Sequence, residues 1–290
     1  MASWQLTSVT LQERVKKFLK KISLKVRFFW GSLFYLTYTP YAYWYSLKRD
    51  RLEEKFADPV ATEAAKTPGK LFQAQLTAQT ARFYFEDAEL SICFRGQNFV
   101  QVDWYPSLPP IPYALAKTLD ASDFQDGVKI DIQLEELANG WVVSTPELKI
   151  CIDPEGGLKF YDATDQLLRE ELPPQRVGEK WQHSIRLRQQ ESLYGFGERA
   201  SRLNLRLPNI GEPLTQDGSL PKRTYRFWNY DAAGMYDPGS DPMYICIPVY
   251  ISMHQQGSYL VFYENSYEAN FTLEAERATA DFEGGALRYY

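Results

Sequence analysis

The chain has 290 residues, 44% hydrophobic, 15% aromatic and 24% charged, with a formal net charge of −5; this is the composition of a folded chain with one or two cores, and it excludes a fibrous or disordered protein. Residues 1–50 carry nine Lys/Arg against two Asp/Glu, so the remainder holds a net −12, which argues against a nucleic-acid role for it. Three separated cysteines (Cys93, Cys151, Cys246) and two histidines (His183, His254) give neither a disulfide framework nor metal-ligand spacing, which points to a reducing, cytoplasmic setting with no metal or cofactor.

Thr10-Leu-Gln-Glu13 has the form of a capping box. Leu11, Val15, Phe18, Leu19, Ile22 and Val26 follow at helical spacing, with Lys16, Lys17, Lys20, Lys21 and Lys25 mostly on other faces. The spacing predicts a basic amphipathic helix. Residues 28–47 then contain no charge, and ten of the twenty are aromatic. Two readings stand for this arm of residues 1–50: its aromatic face packs on the protein's own body or on a further, downstream domain, or it makes peripheral contact with a membrane surface through lysines and interfacial aromatics. A transmembrane span is disfavoured by the Tyr/Thr content and by Pro40, and a signal peptide by the distance of the apolar part from Met1. Residues 51–68 read as a short helix and a linker, so residues 1–68 form an extension and 69–290 the body.

From Lys70 the hydrophobic period changes to two. Leu71–Thr77, Ala81–Glu86, Glu89–Arg95 and Phe99–Tyr105 read as strands, with Arg95-Gly-Gln97 as a turn. Pro106–Pro112 is an irregular connection. Val128, Ile130, Ile132 and Leu134 alternate with polar residues as a half-buried strand. Trp141–Ser144, Leu148–Ile152, Leu158–Tyr161 and Trp181–Arg188 continue the pattern, with Asp153–Gly157 as a hairpin turn. The class expected is all-β: an antiparallel sandwich with a helical, aromatic N-terminal extension.

The chemistry-bearing stretch is Tyr225–Tyr250. An aromatic strand leads into a loop with Asp231, Asp237 and Asp241, and a second apolar run, Tyr244–Tyr250, follows. Asp237-Pro and Asp241-Pro are turn-starting dipeptides. Asp231 stands at the strand–loop junction, where a carboxylate can accept two sugar hydroxyls while an aromatic face covers the ring; Trp228 and Tyr236 are the aromatic candidates. The Gly-rich Leu193-Tyr-Gly-Phe-Gly-Glu-Arg199 lacks the spacing of a phosphate loop, so its glycines serve tight packing or positive φ, and Glu198-Arg199 suggests an internal ion pair.

Tyr194-Gly-Phe-Gly-Glu198, Asn204-Leu-Arg206, Tyr225–Asp231, Tyr236–Pro242 and Ile247-Pro-Val-Tyr250 resemble, in order and spacing, the N-terminal domain of glycoside hydrolase family 31, which includes α-glucosidases. The resemblance is firm over residues 190–270, diffuse over 70–190, and absent over 1–60. It implies a galactose-mutarotase-like β-sandwich beside a (β/α)₈ barrel, with Asp231 helping to bind the terminal sugar of an α-glucoside or α-glucan. It places the nucleophile and the acid/base on the barrel, which these 290 residues do not include, so no catalytic residue is assigned here and the chain alone is expected to be inactive. The expectation is therefore the non-catalytic domain of a retaining α-glucosidase that completes a substrate pocket. A free-standing carbohydrate-binding module or an inactive remnant is the alternative. Xylosidase, glucosyltransferase and lyase activities stay open for the parent.

Overall fold

The computed structural model describes residues 39–56, 63–106, 130–208, 220–231 and 239–290. The capping box at Thr10, the helical periodicity after it, Tyr236 and Asp237 lie outside the described residues. The chain divides into two compact units, Met1–Val60 and Ala61–Tyr290.

In the first unit one helix, α1, spans Thr39–Phe56. It starts inside the aromatic run, earlier than the helix read from residue 51. The reason is Pro40: second in the helix and so within its first turn, it lacks an N–H that would have no partner there anyway, and its fixed φ suits the turn. Lys55 sits in the last turn, where a cation complements the helix dipole. Tyr41, Tyr43, Trp44 and Tyr45 are all exposed. Among the described residues no helix is long and apolar enough to cross a membrane. In the second unit Lys66, read as linker, exchanges backbone hydrogen bonds of 2.9 Å with Arg176 and so is already part of the body.

The body is a two-layer antiparallel sandwich. The first meander is β1 (Leu71–Thr77), β2 (Thr80–Phe85), β3 (Glu89–Phe94) and β4 (Val100–Tyr105), close to the strands expected. The alternation at 128–134 leads into β5 (Gln133–Leu137), whose ladder starts later than the pattern: Ile130 is buried as its place in the alternation requires, but Ile130–Ile132 lie outside the ladder. β6 (Gly140–Ser144), β7 (Leu148–Ile152), β8 (Leu158–Asp162), β9 (Leu167–Glu171), β10 (Gln175–Val177) and β11 (Lys180–Arg186) follow. Then come β12 (Ser192–Gly197), β13 (Arg223–Phe227), β14 (Cys246–His254), β15 (Gly257–Phe262), β16 (Ala269–Leu273), β17 (Arg277–Phe282) and β18 (Leu287–Tyr289).

One layer has the order β13-β16-β17-β11-β9-β8-β7-β6-β5, with β10 paired to β11. The other is built from two sheets, β1-β2-β3-β4-β18 and β12-β14-β15. β18 joins them. It pairs with β4 on one side, while on the other Tyr290 and Phe262 exchange hydrogen bonds of 2.9 and 3.0 Å and Glu264 N–H donates to the Arg288 carbonyl at 2.9 Å. Alternating inward residues, among them Phe83, Leu90, Ile92 and Trp104 against Ile150, Ile152, Phe271 and Phe282, fill the space between the layers.

That core contains charge. Arg169 and Glu171 of β9 form a fully buried pair, Nε to Oε1 at 2.5 Å. Arg169 also donates to the Tyr250 hydroxyl, Tyr289 donates to Glu171 Oε2, and His183 Nε2 lies 3.1 Å from the same oxygen. Burial opposes the charge on Glu171, but the fields of Arg169 and then His183 outweigh it and hold the carboxyl down at about 2. His183 is a packed residue: its Nδ1 lies 3.1 Å from the Tyr263 hydroxyl, and its ring is stacked 4.9 Å from that of Tyr289.

Candidate functional site

The candidate residues sit where β13 ends. Tyr225 and Phe227 point inward and are buried, while Trp228, Asn229, Tyr230 and Asp231 leave the sheet and are exposed. The chain returns at Gly239 and reaches β14 at Cys246. The two arms of this loop run side by side. Asn229 Oδ1 accepts the Cys246 N–H at 2.7 Å, and Tyr230 N–H donates to the Met243 carbonyl at 3.0 Å. Met243 is buried beneath them.

Arg199 locks the root of the loop. Its guanidinium is 3% exposed and pairs with Asp241, itself 16% exposed. It also donates to the carbonyls of Phe196 (3.2 Å) and Arg226 (3.0 Å), while the second oxygen of Asp241 accepts the Arg226 N–H at 2.6 Å. Burial draws the Arg199 pKa below the ordinary guanidinium value. The ion pair suggested by Glu198-Arg199 is corrected here: Glu198 is exposed, and Arg199 pairs with Asp241. Asp241 is therefore used within the fold.

The Gly-rich strand β12 makes this close approach feasible. Gly195 (φ +138°) and Gly197 (φ +79°) flank a register shift against β14, and a Cβ on Gly195 would lie 2.3 Å from the Val249 carbonyl oxygen. Between them Phe196 turns inward, fully buried against Phe227, Tyr250 and Phe271.

On this base the loop presents Trp228 (48% exposed), Tyr230 (54%) and Asp231 to solvent. The Arg226 guanidinium lies 5.7 Å from the centre of the Trp228 ring, and its Nε donates to Glu268 at 2.6 Å. Two of the three residues expected from sequence, Trp228 and Asp231, are thus placed on one short exposed segment. Tyr230 was not singled out, although it lies in the same aromatic run. A cavity of about 380 Å³ flanks the loop root, lined by Arg199, Lys222, Arg223, Tyr225 and Asp241 among others; neither Trp228 nor Asp231 lines it. Among the described residues no cluster of three or more His, Cys, Asp or Glu could hold a metal ion. Chemically, an exposed carboxylate beside two exposed aromatic rings can accept hydroxyl donors and cover an apolar ring face.

Residues 56–271 match the glycosyl hydrolase 31 N-terminal galactose mutarotase-like domain. Over 104 residues the chain is 29% identical to α-glucosidase 2 of Bacillus thermoamyloliquefaciens, covering 34% of this chain and 11% of that enzyme. A dextranase of glycoside hydrolase family 31 from Flavobacterium johnsoniae, solved with isomaltotriose, superposes with a TM-score of 0.61 at 18% identity, over 77% of this chain and 26% of its own. The α-1,4-glucan lyase of Gracilariopsis lemaneiformis superposes with a TM-score of 0.59 at 15% identity, over 80% and 28%. The chain therefore spans about a tenth to a quarter of the length of these relatives.

Proposed function

The chain belongs to glycosyl hydrolase family 31, as that family's N-terminal galactose mutarotase-like domain, and on that premise we propose that it is the non-catalytic sandwich of an α-glucosidase-type hydrolase, binding an α-glucoside or α-glucan and completing the pocket of a (β/α)₈ barrel. The observation that carries this reading is the loop: its root is fixed by the Arg199–Asp241 pair and its exposed segment offers Trp228 and Asp231 together. Rigid support of an exposed carboxylate and ring lowers the ordering cost of binding a polar ligand. The Asp231 carboxylate accepts sugar hydroxyls, Trp228 covers a sugar face, and Tyr236 is assigned to the same loop. No residue of this chain is given the nucleophile or acid/base role.

The outer face of β14 and β15 supports the barrel partner. Ile247, Ile251 and Met253 share one side of β14, Leu260 stands opposite Ile251, and Ile245 continues the strip to the loop root; all five are exposed. Such a strip beside a ligand loop suits a second domain docked against it. Saturation-transfer NMR with maltotriose tests the site. Millimolar binding is expected (roughly −4 kcal/mol), as suits half a pocket. It should be lost in Asp231→Ala and Trp228→Ala with the melting temperature unchanged. Full signal in both variants would remove the loop from the site.

We assign the arm of residues 1–50 to the surface of an anionic membrane from the cytoplasmic side. Its net charge of +7 and the exposed Tyr41, Tyr43 and Trp44 of α1 support this. Co-sedimentation with phosphatidylserine vesicles should require residues 1–50; equal binding without them would refute it.

A further inference from the structure

Arg226 plays two separate parts at the loop root, one with its backbone and one with its side chain. Its N–H donates to Asp241 and its carbonyl accepts from Arg199, so its main chain belongs to the lock. Its side chain lies in the outer row of β13. Along that strand Tyr225 and Phe227 are buried, Thr224 and Arg226 are exposed, and Trp228 continues the exposed row two residues on. Neighbours in one row stand about 7 Å apart, within reach of a guanidinium. The guanidinium carbon of Arg226 lies over the Trp228 ring, 5.7 Å from its centre, inside the range of a cation–π contact.

The neighbouring strand holds the same guanidinium. β16 pairs Arg226 with Asn270 and Phe227 with Ala269, and the register carries Glu268 to the position opposite Trp228. Glu268 is itself fixed, since its carbonyl accepts the Glu283 N–H at 2.9 Å. Its carboxylate accepts the Arg226 Nε–H at 2.6 Å. The guanidinium therefore bridges a carboxylate of one strand and the indole that follows the next, and the charge pair adds no net charge beside the ring.

A tryptophan at the exit of a strand has several staggered rotamers open to it. A planar cation over one ring face selects among them and covers that face, while Trp228 remains 48% exposed. The other face keeps its negative quadrupole, which suits the C–H face of an uncharged pyranose. We infer that Arg226 is the positioning residue of the candidate loop: anchored by Glu268, it holds the Trp228 ring by one face and leaves the opposite face to stack on a neutral sugar. The stacking rests on the proposed function; the placement of the indole does not.

Arg226→Ala in the full 290-residue chain separates the two parts, because alanine keeps the N–H and carbonyl that bond Asp241 and Arg199. The ion pair is partly exposed (45% and 32% for the two side chains) and the ring contact is small, so Tm should fall by no more than about 4 °C. The indole N–H resonance of Trp228, assigned by its loss in Trp228→Ala, should move. In the wild-type protein the Arg226 Cδ protons should be shifted upfield by the indole, and Trp228→Ala should return them to ordinary values. Affinity for maltotriose should fall about two- to five-fold in Arg226→Ala, the size of one exposed cation–π contact, and by less in Glu268→Gln, whose amide still accepts from Nε. An unmoved indole resonance or an unchanged affinity in Arg226→Ala would overturn the positioning role. Nuclear Overhauser contacts between Arg226 and the indole should persist when maltotriose is added. Their disappearance would overturn the opposite-face stacking, since the sugar would then have displaced the guanidinium. A wild-type chain that binds no maltotriose would refute the loop site and the stacking together; the ring-current shifts of the unliganded protein still decide whether Arg226 places the indole.

Discussion

Replacing Asp241 by Asn probes the root of the candidate site without touching its exposed residues. The amide keeps the size of the side chain and an acceptor for the Arg226 N–H, but leaves a guanidinium that is 3% exposed without a counter-charge. Removing one partner from a buried pair costs about 3–5 kcal/mol; the 16% exposure of Asp241 and the surviving carbonyl bonds of Arg199 bring this to about 2–3 kcal/mol. In a body of this size that is a fall in Tm of about 5–10 °C. Because Asp241 fixes the position of the loop, Asp241→Asn should also weaken maltotriose binding although Asp241 bonds Arg199 and Arg226, not the ligand. Arg199→Lys should fall between wild type and Asp241→Asn, since an ammonium keeps the charge but cannot span Asp241 and the two carbonyls at once. Differential scanning fluorimetry and NMR titration read both effects. An Asp241→Asn protein with unchanged Tm would refute the claim that this pair holds the loop.

Other outcomes follow from the same geometry. Gly195→Ala should destabilise the protein by at least about 2 kcal/mol in urea unfolding, because φ +138° disfavours a side chain and the Val249 carbonyl occupies its place; a neutral result would mean that β12 can move away from β14. The Glu171 carboxyl titrates lower folded than unfolded, so the unfolded chain binds more protons between about pH 4.5 and 2, and stability is lost as pH falls through that window. The shift corresponds to roughly 3 kcal/mol, fully present at neutral pH. Glu171→Gln should be less stable at pH 7 and should show a correspondingly shallower acid dependence in urea titrations at pH 7 and 3; parallel pH profiles would refute the assignment.

Much of the sandwich was legible because its strands are half-buried and their residues alternate. The first four strands and the β7–β8 hairpin follow from that pattern alone. β9 was not visible, since Leu-Leu-Arg-Glu-Glu turns Arg169 and Glu171 inward and its charge alternation mimics a solvated segment. The start of α1 was misplaced because a proline reads as a break when its position in the first turn is unknown. For the site, the aromatic run into Asp231 was plain in the chain. The lock beneath it was not: Arg199 and Asp241 lie 42 residues apart, and only the fold brings them together.

The double pairing of β18 also bears on the order in which the body assembles. Arg288 bonds Asp103 across 185 residues, and the three residues of β18 are the seam of one whole layer. Until they leave the ribosome, the β1–β4 meander has an open edge at β4 and the β14–β15 hairpin has another. Local hairpins can form early, but closing this layer waits for the most distant pairing in sequence, which makes folding slow and leaves bare strand edges during synthesis. A chaperone that shields strand edges should therefore raise the yield of folded protein, and the benefit should be greatest while β18 is still inside the exit tunnel.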